Sequence, residues 1–470
     1  MFDHEEQSRP DFFRFAVCAA GLSAMAVAFT SLTAGADERP QDHVQRAYES
    51  AERAAATESA LRRLDPEGSA QATAEAKAKA KRIAQAAKAF EPVPVRVVPE
   101  DWVEAGLDIS KAKREGDKLV QTLPNGGKVY LTIEPSVQDH MEKVLEQKNV
   151  PHGGVALVEP ATGRVLALVS HSKEGSSYDE IARRPKAPSA SVFKIVTAAA
   201  LVESAGVSPT EQICYHGGRS RLSERNIKGD PRRDHKCADL GDALAWSINS
   251  IMAKLAYKKL SRDDLRVWAE RFGYNTEIPF ELPVQTSKAD IVEDPIERAR
   301  LAAGFWHTYL SPLHGALIAA SVANDGVMMR PTLIDKYVDP SGETLYEFEP
   351  RVLRRVMSKK TAKVLAKMLE GTAEKGTARR YFAHRRAFPN DVTVAGKTGT
   401  LSNKDPYLGF TWFVGFGKDK SGQQAAVAGL ACNKPKWWIK GHFAASETLR
   451  KYYEILDEKA KKAASELAAN

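Results

Sequence analysis

Apolar and polar residues follow different periods along the chain, and each change of period marks an element. The first apolar stretch, from Phe15 to Ala36, carries no charge and has no polar face. As a helix rising about 1.5 Å per residue, it is long enough to cross a bilayer core of roughly 30 Å. From Asp37 to Phe90 the residues are mostly Ala, Glu, Lys and Arg, good helix material with little to bury. Pro66 and Gly68 divide this stretch, and Pro92 and Pro94 close it, so residues 37–126 are expected to form a helical or disordered spacer. Compact sequence starts near Gly127. Val129 to Ile133 reads as a short strand, Pro135 to Gln147 as an amphipathic helix, and Gly154 to Val158 and Arg164 to Val169 as two strands about a turn at Glu159–Gly163. Helical patterns fill the middle of the chain. Strands return at Val392–Ala395, Phe410–Val414 and Gln424–Ala431, and a last helix spans Ser446 to about Glu466. Early and late strands with helices between them predict an α/β fold. Its antiparallel sheet, shared by the two ends of the domain, is flanked by helices and carries an inserted all-α lobe. The expected domains are a membrane or signal segment at 1–36, the spacer at 37–126 and one compact domain at 127–470.

Composition narrows the class. With 470 residues, 43% hydrophobic and 27% charged, the chain has room for a sizeable core and matches neither collagen-like nor disordered nor polytopic membrane proteins. Sixty-eight basic against 60 acidic side chains give a net charge of +8, which suits an anionic surface or polymer, but no nucleic-acid motif accompanies it. Around the apolar segment, Ala34-Gly35-Ala36 has the small-x-small form of a signal-peptidase site. Asp3, Glu5, Glu6 and Asp11 dilute the positive charge of Arg9 and Arg14 that would orient an anchor. An uncleaved anchor and a cleaved signal both fit, and both export the remainder. Four cysteines are too few to build a scaffold. Cys214-Tyr215-His216 and His235-Lys236-Cys237 fit a disulfide, two free thiols or a zinc site. Lys434 to Lys440, with Trp437 and Trp438, fits either a surface for membrane or glycan or two indoles packed on the sheet.

The chemistry enters at Ser191-Val192-Phe193-Lys194, which opens an apolar helical run from Ile195 to Val202. Ser191 is expected at a helix amino terminus with Lys194 one turn later on the same face. There the helix dipole and free N–H groups favour negative charge on the serine oxygen, and a lysine neutralised by desolvation accepts its proton. The spacing alone is weak, because Ser110-Lys111-Ala112-Lys113 repeats it in charged sequence. Ser247-Ile248-Asn249 lies within the helical stretch Ala243–Lys258, and Lys397-Thr398-Gly399-Thr400 ends a strand. Separately, these read as helix-capping or surface residues and as an edge strand entering a turn.

Taken in order, S-x-x-K, S-x-N and K-T-G resemble the motifs of the penicillin-interacting serine acyltransferases. Pro188-Ser189-Ala190, Ser311-Pro312-Leu313-His314, Ala323-Asn324-Asp325-Gly326, Lys375-Gly376-Thr377-Ala378 and Trp412-Phe413-Val414-Gly415-Phe416 extend the likeness to the transpeptidase domain of penicillin-binding proteins, over about Gly127 to Leu456. The resemblance implies a D,D-transpeptidase of peptidoglycan that is also acylated by β-lactams. Ser191 would attack the carbonyl of a D-alanyl-D-alanine bond, with Lys194 as its activator. Ser247 would relay a proton to the leaving nitrogen, and Asn249 would hold the substrate amide and the lysine. Lys397 would depress the pKa of Lys194, Thr398 and Thr400 would bind the substrate carboxylate beside Gly399, and the N–H groups of Ser191 and Thr400 would form an oxyanion hole. No cofactor and no metal ion is implied.

The alternatives are a D,D-carboxypeptidase, a serine β-lactamase using a carboxylate such as Glu293 or Glu297, and a β-lactam sensor or scaffold without turnover. Asp37 to Gly126 is too short and too polar for the glycosyltransferase or pedestal domain of large penicillin-binding proteins. A separate glycan polymerase is therefore expected as a partner. The expected location is the inner membrane, single-pass with the catalytic domain on the periplasmic side, or the periplasm if the signal is cleaved.

Overall fold

The computed structural model describes residues 101–469 apart from 174–177, 219–220, 384–387 and 389–390. The apolar segment 15–36 and the spacer to Phe90 lie outside the described residues. The chain divides into two units, residues 1–87 and 88–470, and the second contains everything described below.

Helix α1, Pro135–Gln147, has the predicted bounds; it starts on a proline, whose missing N–H is no loss in a first turn. Two strands follow, β1 at His152–Val158 and β2 at Val165–Ser172. The intervening helices include α2 (Lys194–Glu203), α3 (Leu240–Ala245), α4 (Asn249–Lys259), α5 (Pro295–Ala302), α6 (Pro312–Ala323) and α7 (Lys359–Glu374). Strands β3 (Thr393–Lys404), β4 (Tyr407–Lys418) and β5 (Gln424–Asn433) precede the terminal helix α8, Gly441–Ala469. The five strands form one antiparallel sheet in the order β3-β4-β5-β1-β2, so the two ends of the domain do share a sheet and β3 is its edge.

Both faces of this sheet are covered, which is why its strands read as unbroken apolar runs rather than alternating ones. Val155 and Leu157 face a core with Val137, Met141 and Leu145 of α1 and Ala445, Leu449 and Tyr453 of α8. Their neighbours Ala156 and Val158 face the opposite core, with Leu313, Ala316 and Leu317 of α6 and Phe193 and Val196 at the start of the helical lobe.

Three features differ from the expectation. The insert is not purely helical: it holds a three-stranded sheet of Ala187–Pro188, Thr308–Leu310 and Lys288–Ala289, and a hairpin of Ile213–Tyr215 with Lys236–Ala238. It also sends Ile334–Val338 and Thr344–Glu347 into a second five-stranded sheet with Lys113–Glu115, Lys118–Thr122 and Lys128–Leu131. Ordered structure therefore begins inside the stretch assigned to the spacer, where Leu107, Val120 and Leu123 are buried. These strands are three to five residues long and half-exposed, which leaves too few apolar positions for a period to emerge. Finally, β3 does not end at Lys397-Thr398-Gly399-Thr400 but runs four residues past it, paired with β4 at every residue from Thr393 to Lys404.

Candidate active site

Ser191 sits in a single 3-10 turn, Ala190–Phe193, that leads directly into α2. Ala190 before it has a left-handed φ of 50°, a strained setting for a residue with a Cβ. Gly304 braces this corner: its own φ is +88°, and a Cβ there would lie 2.4 Å from the Ala190 carbonyl oxygen and 2.8 Å from Ser191 Cα. Lys194, the first residue of α2, is completely buried. Its Nζ lies 2.7 Å from Ser191 Oγ, 2.7 Å from Asn249 Oδ1 and 2.5 Å from the Ala303 carbonyl oxygen.

These three neighbours define the state of the amine. Burial pushes the Lys194 pKa well below its ordinary value, and the nearby Lys397 charge pushes it further down. A neutral amine has two protons and one lone pair. Asn249 Oδ1 and Ala303 O only accept, so they take the two protons, and the lone pair is left for the hydroxyl proton of Ser191. The arrangement suits a nucleophile and its proton acceptor.

The S-x-N motif is built differently from the single helix its sequence suggests. Helix α3 stops at Ala245, and α4 begins at Asn249. Ile248 N–H bonds to Ala243 O and Ser247 N–H to Leu244 O, the paired closing bonds of a Schellman turn. Ser247 occupies the turn's left-handed position, at φ 56°, where glycine is the usual residue. The sequence of Ala243–Lys258 conceals this break because small and apolar buried residues run up to it in α3 and resume after it in α4. The break places Asn249 in the first turn of α4, within reach of Lys194.

Lys397 is fully buried in mid-strand and donates to the Thr398 carbonyl at 3.0 Å; burial pushes its pKa down to about 7. Thr398 is buried with its Oγ1 2.6 Å from Thr377 Oγ1, Gly399 lies against Ala190 and Ser189, and Thr400 is exposed and paired with Thr411. The sequence-predicted residues thus fall on three adjoining elements: the turn before α2, the α3–α4 corner and the edge strand β3. Sequence reasoning missed Ala303, which acts through its backbone, and gave no role to Thr377, although the Lys375–Ala378 motif contains it.

The other candidates resolve away from this site. Ser110 bonds to Asp108 at 2.7 Å and Lys113 is exposed, so the second S-x-x-K is surface. Glu293 pairs with Arg262 and Glu297 with Arg300 at the surface. Cys214 and Cys237 form a disulfide, and His216 pairs with Asp234 at 2.5 Å, so neither sulfur is a thiolate ligand. Trp437 is half-buried with its indole N–H on Tyr407 Oη at 3.0 Å, whereas Trp438 is exposed beneath the Lys436 ammonium.

A serine hydroxyl bonded to a fully buried lysine amine whose pKa burial holds well below its ordinary value fits the class of active-site-serine acyl-transferring enzymes. The profile of the penicillin binding protein transpeptidase domain matches residues 153–452, and the chain belongs to that family. Peptidoglycan D,D-transpeptidase PbpA of Mycolicibacterium smegmatis is 26% identical over 356 residues, which are 67% of this chain and 70% of that protein. A D,D-transpeptidase domain of a peptidoglycan glycosyltransferase from Eggerthella lenta superposes with TM-score 0.60 at 25% identity, covering 72% of this chain and 85% of that one. The imipenem acyl-enzyme of penicillin-binding protein A from M. tuberculosis superposes with TM-score 0.58 at 26% identity, covering 70% and 80%.

Proposed function

We propose that the chain is a serine D,D-transpeptidase of peptidoglycan, acting on D-alanyl-D-alanine stem peptides through an acyl-enzyme at Ser191 and acylated there by β-lactams. The observation that carries the reading is the placement of Lys194 Nζ, 2.7 Å from Ser191 Oγ and held by two acceptors that leave its lone pair for the hydroxyl. Ser191 Oγ attacks the penultimate D-alanine carbonyl carbon while its proton passes to Lys194. The backbone N–H groups of Ser191 and Thr400 receive the negative charge on the carbonyl oxygen. As the C–N bond breaks, Ser247 delivers a proton to the departing D-alanine nitrogen. An amine of a second stem peptide then attacks the ester and frees Ser191. Thr398 and Thr400 bind the terminal carboxylate, Asn249 orients the donor amide, and Lys397 keeps Lys194 deprotonated.

A carboxypeptidase differs only in using water for the last step. A β-lactamase needs a base positioned to activate water at the ester, and the two carboxylates named in the sequence, Glu293 and Glu297, are engaged with arginines elsewhere. Incubating the chain with a donor peptide ending in D-alanyl-D-alanine and an acceptor amine tests the assignment. Release of D-alanine with formation of a cross-linked product, both lost in Ser191→Ala, supports it; D-alanine release without cross-linking assigns a carboxypeptidase.

The site works outside the cytoplasm, held to the inner membrane by Phe15–Ala36, with glycan supplied by a separate polymerase. The uncharged apolar segment and the Cys214–Cys237 disulfide, which suits an oxidising compartment, support this placement. Protease digestion of spheroplasts tests it: cleavage of the domain from intact spheroplasts is expected, and full protection would contradict it.

A further inference from the structure

We infer that Thr377 is a positioning residue for the substrate carboxylate, acting through Thr398. The inference rests on the transpeptidase reading above. Thr377 lies just past α7, with its Oγ1 2.6 Å from Thr398 Oγ1. Its N–H reaches the Ala245 carbonyl oxygen at 3.1 Å, and its Oγ1 reaches the same oxygen at 3.4 Å. Ala245 ends α3, two residues before Ser247. One exposed threonine therefore joins the K-T-G strand to the S-x-N corner.

The two hydroxyls share a single bond and can order it in two ways. If Thr398 donates to Thr377, the Thr398 proton is turned away from an incoming anion. If Thr377 donates to Thr398, that proton is free for the ligand. A carboxylate only accepts, so binding selects the second order. Thr377 then gives up its 3.4 Å contact with Ala245 O, a long and weak bond, while the 3.1 Å bond from its N–H keeps the loop in place. A hydroxyl that receives a hydrogen bond also donates more strongly. Thr377 thus presents the Thr398 proton to the carboxylate and couples its arrival to the carbonyl from which the Ser247 turn begins.

Acylation of the full chain by benzylpenicillin and by its methyl ester, which lacks the anion, tests this in the wild type, Thr377→Val and Thr377→Ser. Thr377→Val is expected to slow acylation by the acid about tenfold and by the ester less than about twofold, with Thr377→Ser restoring the acid rate. Equal losses on acid and ester would mean that Thr377 merely supports the fold, and unchanged rates on both would mean that it does nothing; either result overturns the inference. The ester rate reports whether the site is folded, and Thr377→Ala carries the same comparison if the valine variant fails to fold. A wild type that is not acylated at Ser191 would overturn the transpeptidase reading itself, whereas a normally acylated wild type with an indifferent Thr377→Val overturns this inference alone.

Discussion

Lys194 Nζ stands at the same 2.7 Å from Ser191 Oγ as from Asn249 Oδ1, so one buried amine ties the nucleophile to the S-x-N corner. Because Asn249 Oδ1 and the Ala303 carbonyl oxygen only accept, together they leave the lone pair of a neutral amine facing Ser191. The nucleophile and its proton acceptor are aligned before substrate arrives, and chemistry needs no further rearrangement of the pair.

Charge at Lys397 helps hold the Lys194 pKa below its ordinary value, so removing it moves the pH dependence of acylation in a defined direction. In Lys397→Met the Lys194 pKa rises towards its ordinary value, and the acid limb of the acylation profile shifts to higher pH. Burial remains the larger cause, so the limb stays below pH 10.5. The same substitution raises stability at pH 7. An unfolded Lys397 takes up its proton near 10.5, whereas the folded one waits until about 7, so the wild type loses stability as pH falls across that window. Urea unfolding at pH 7 and pH 10 is the check: the gain from Lys397→Met shrinks at the higher pH.

Ser247 holds a left-handed position that costs a residue with a Cβ about 1 kcal/mol. Ser247→Gly is therefore expected to gain up to about 1 kcal/mol in stability while losing most acylation and turnover, because the hydroxyl proposed to relay the proton is gone. A thermal melt paired with an acylation rate reads both effects. A variant that is less stable than wild type contradicts the backbone account.

Gly304 packs its bare Cα against the nucleophile's turn. Gly304→Ala puts a methyl 2.4 Å from Ala190 O and forces a side chain into φ +88°, so it is expected to cost more than about 2 kcal/mol or to displace Ser191. Acylation falls at least about tenfold in either case, measured in the soluble, folded fraction.

The Cys214–Cys237 disulfide closes a segment with a sequence separation of 23, which in the chain-entropy model is worth about 3 kcal/mol. Lys254 Nζ on α4 also holds this segment, through the Cys214 carbonyl at 2.7 Å and Asp234 Oδ2 at 2.5 Å. The Cys214→Ser, Cys237→Ser double variant is expected to unfold at lower urea by that amount and still to be acylated at Ser191, since neither sulfur touches the site.

Much of the fold was legible because the central sheet is buried on both faces, which makes its strands strong apolar runs, and because α1 has one clean amphipathic face. The second five-stranded sheet was not, since Lys113–Glu115 and Thr344–Glu347 are mostly exposed and polar. The site was legible where chemistry demands a side chain, as at Ser191, Lys194, Asn249 and Lys397. It was illegible where the backbone acts, as at the Ala303 carbonyl. The Schellman break at Ser247 also escaped, because serine carries no signal for a left-handed turn and only the closing hydrogen bonds reveal it. Thr377 is an intermediate case, visible as a motif but without a function until its hydroxyl is seen against Thr398.

Intact-protein mass spectrometry during incubation with benzylpenicillin, beside Ser191→Ala, shows whether Ser191 is the acylated nucleophile. One stable penicilloyl adduct per chain is expected, mapping to the peptide that carries Ser191 and absent in the variant. Rapid release of hydrolysed drug without an accumulating adduct, an adduct that survives Ser191→Ala, or no adduct on folded protein would contradict that expectation.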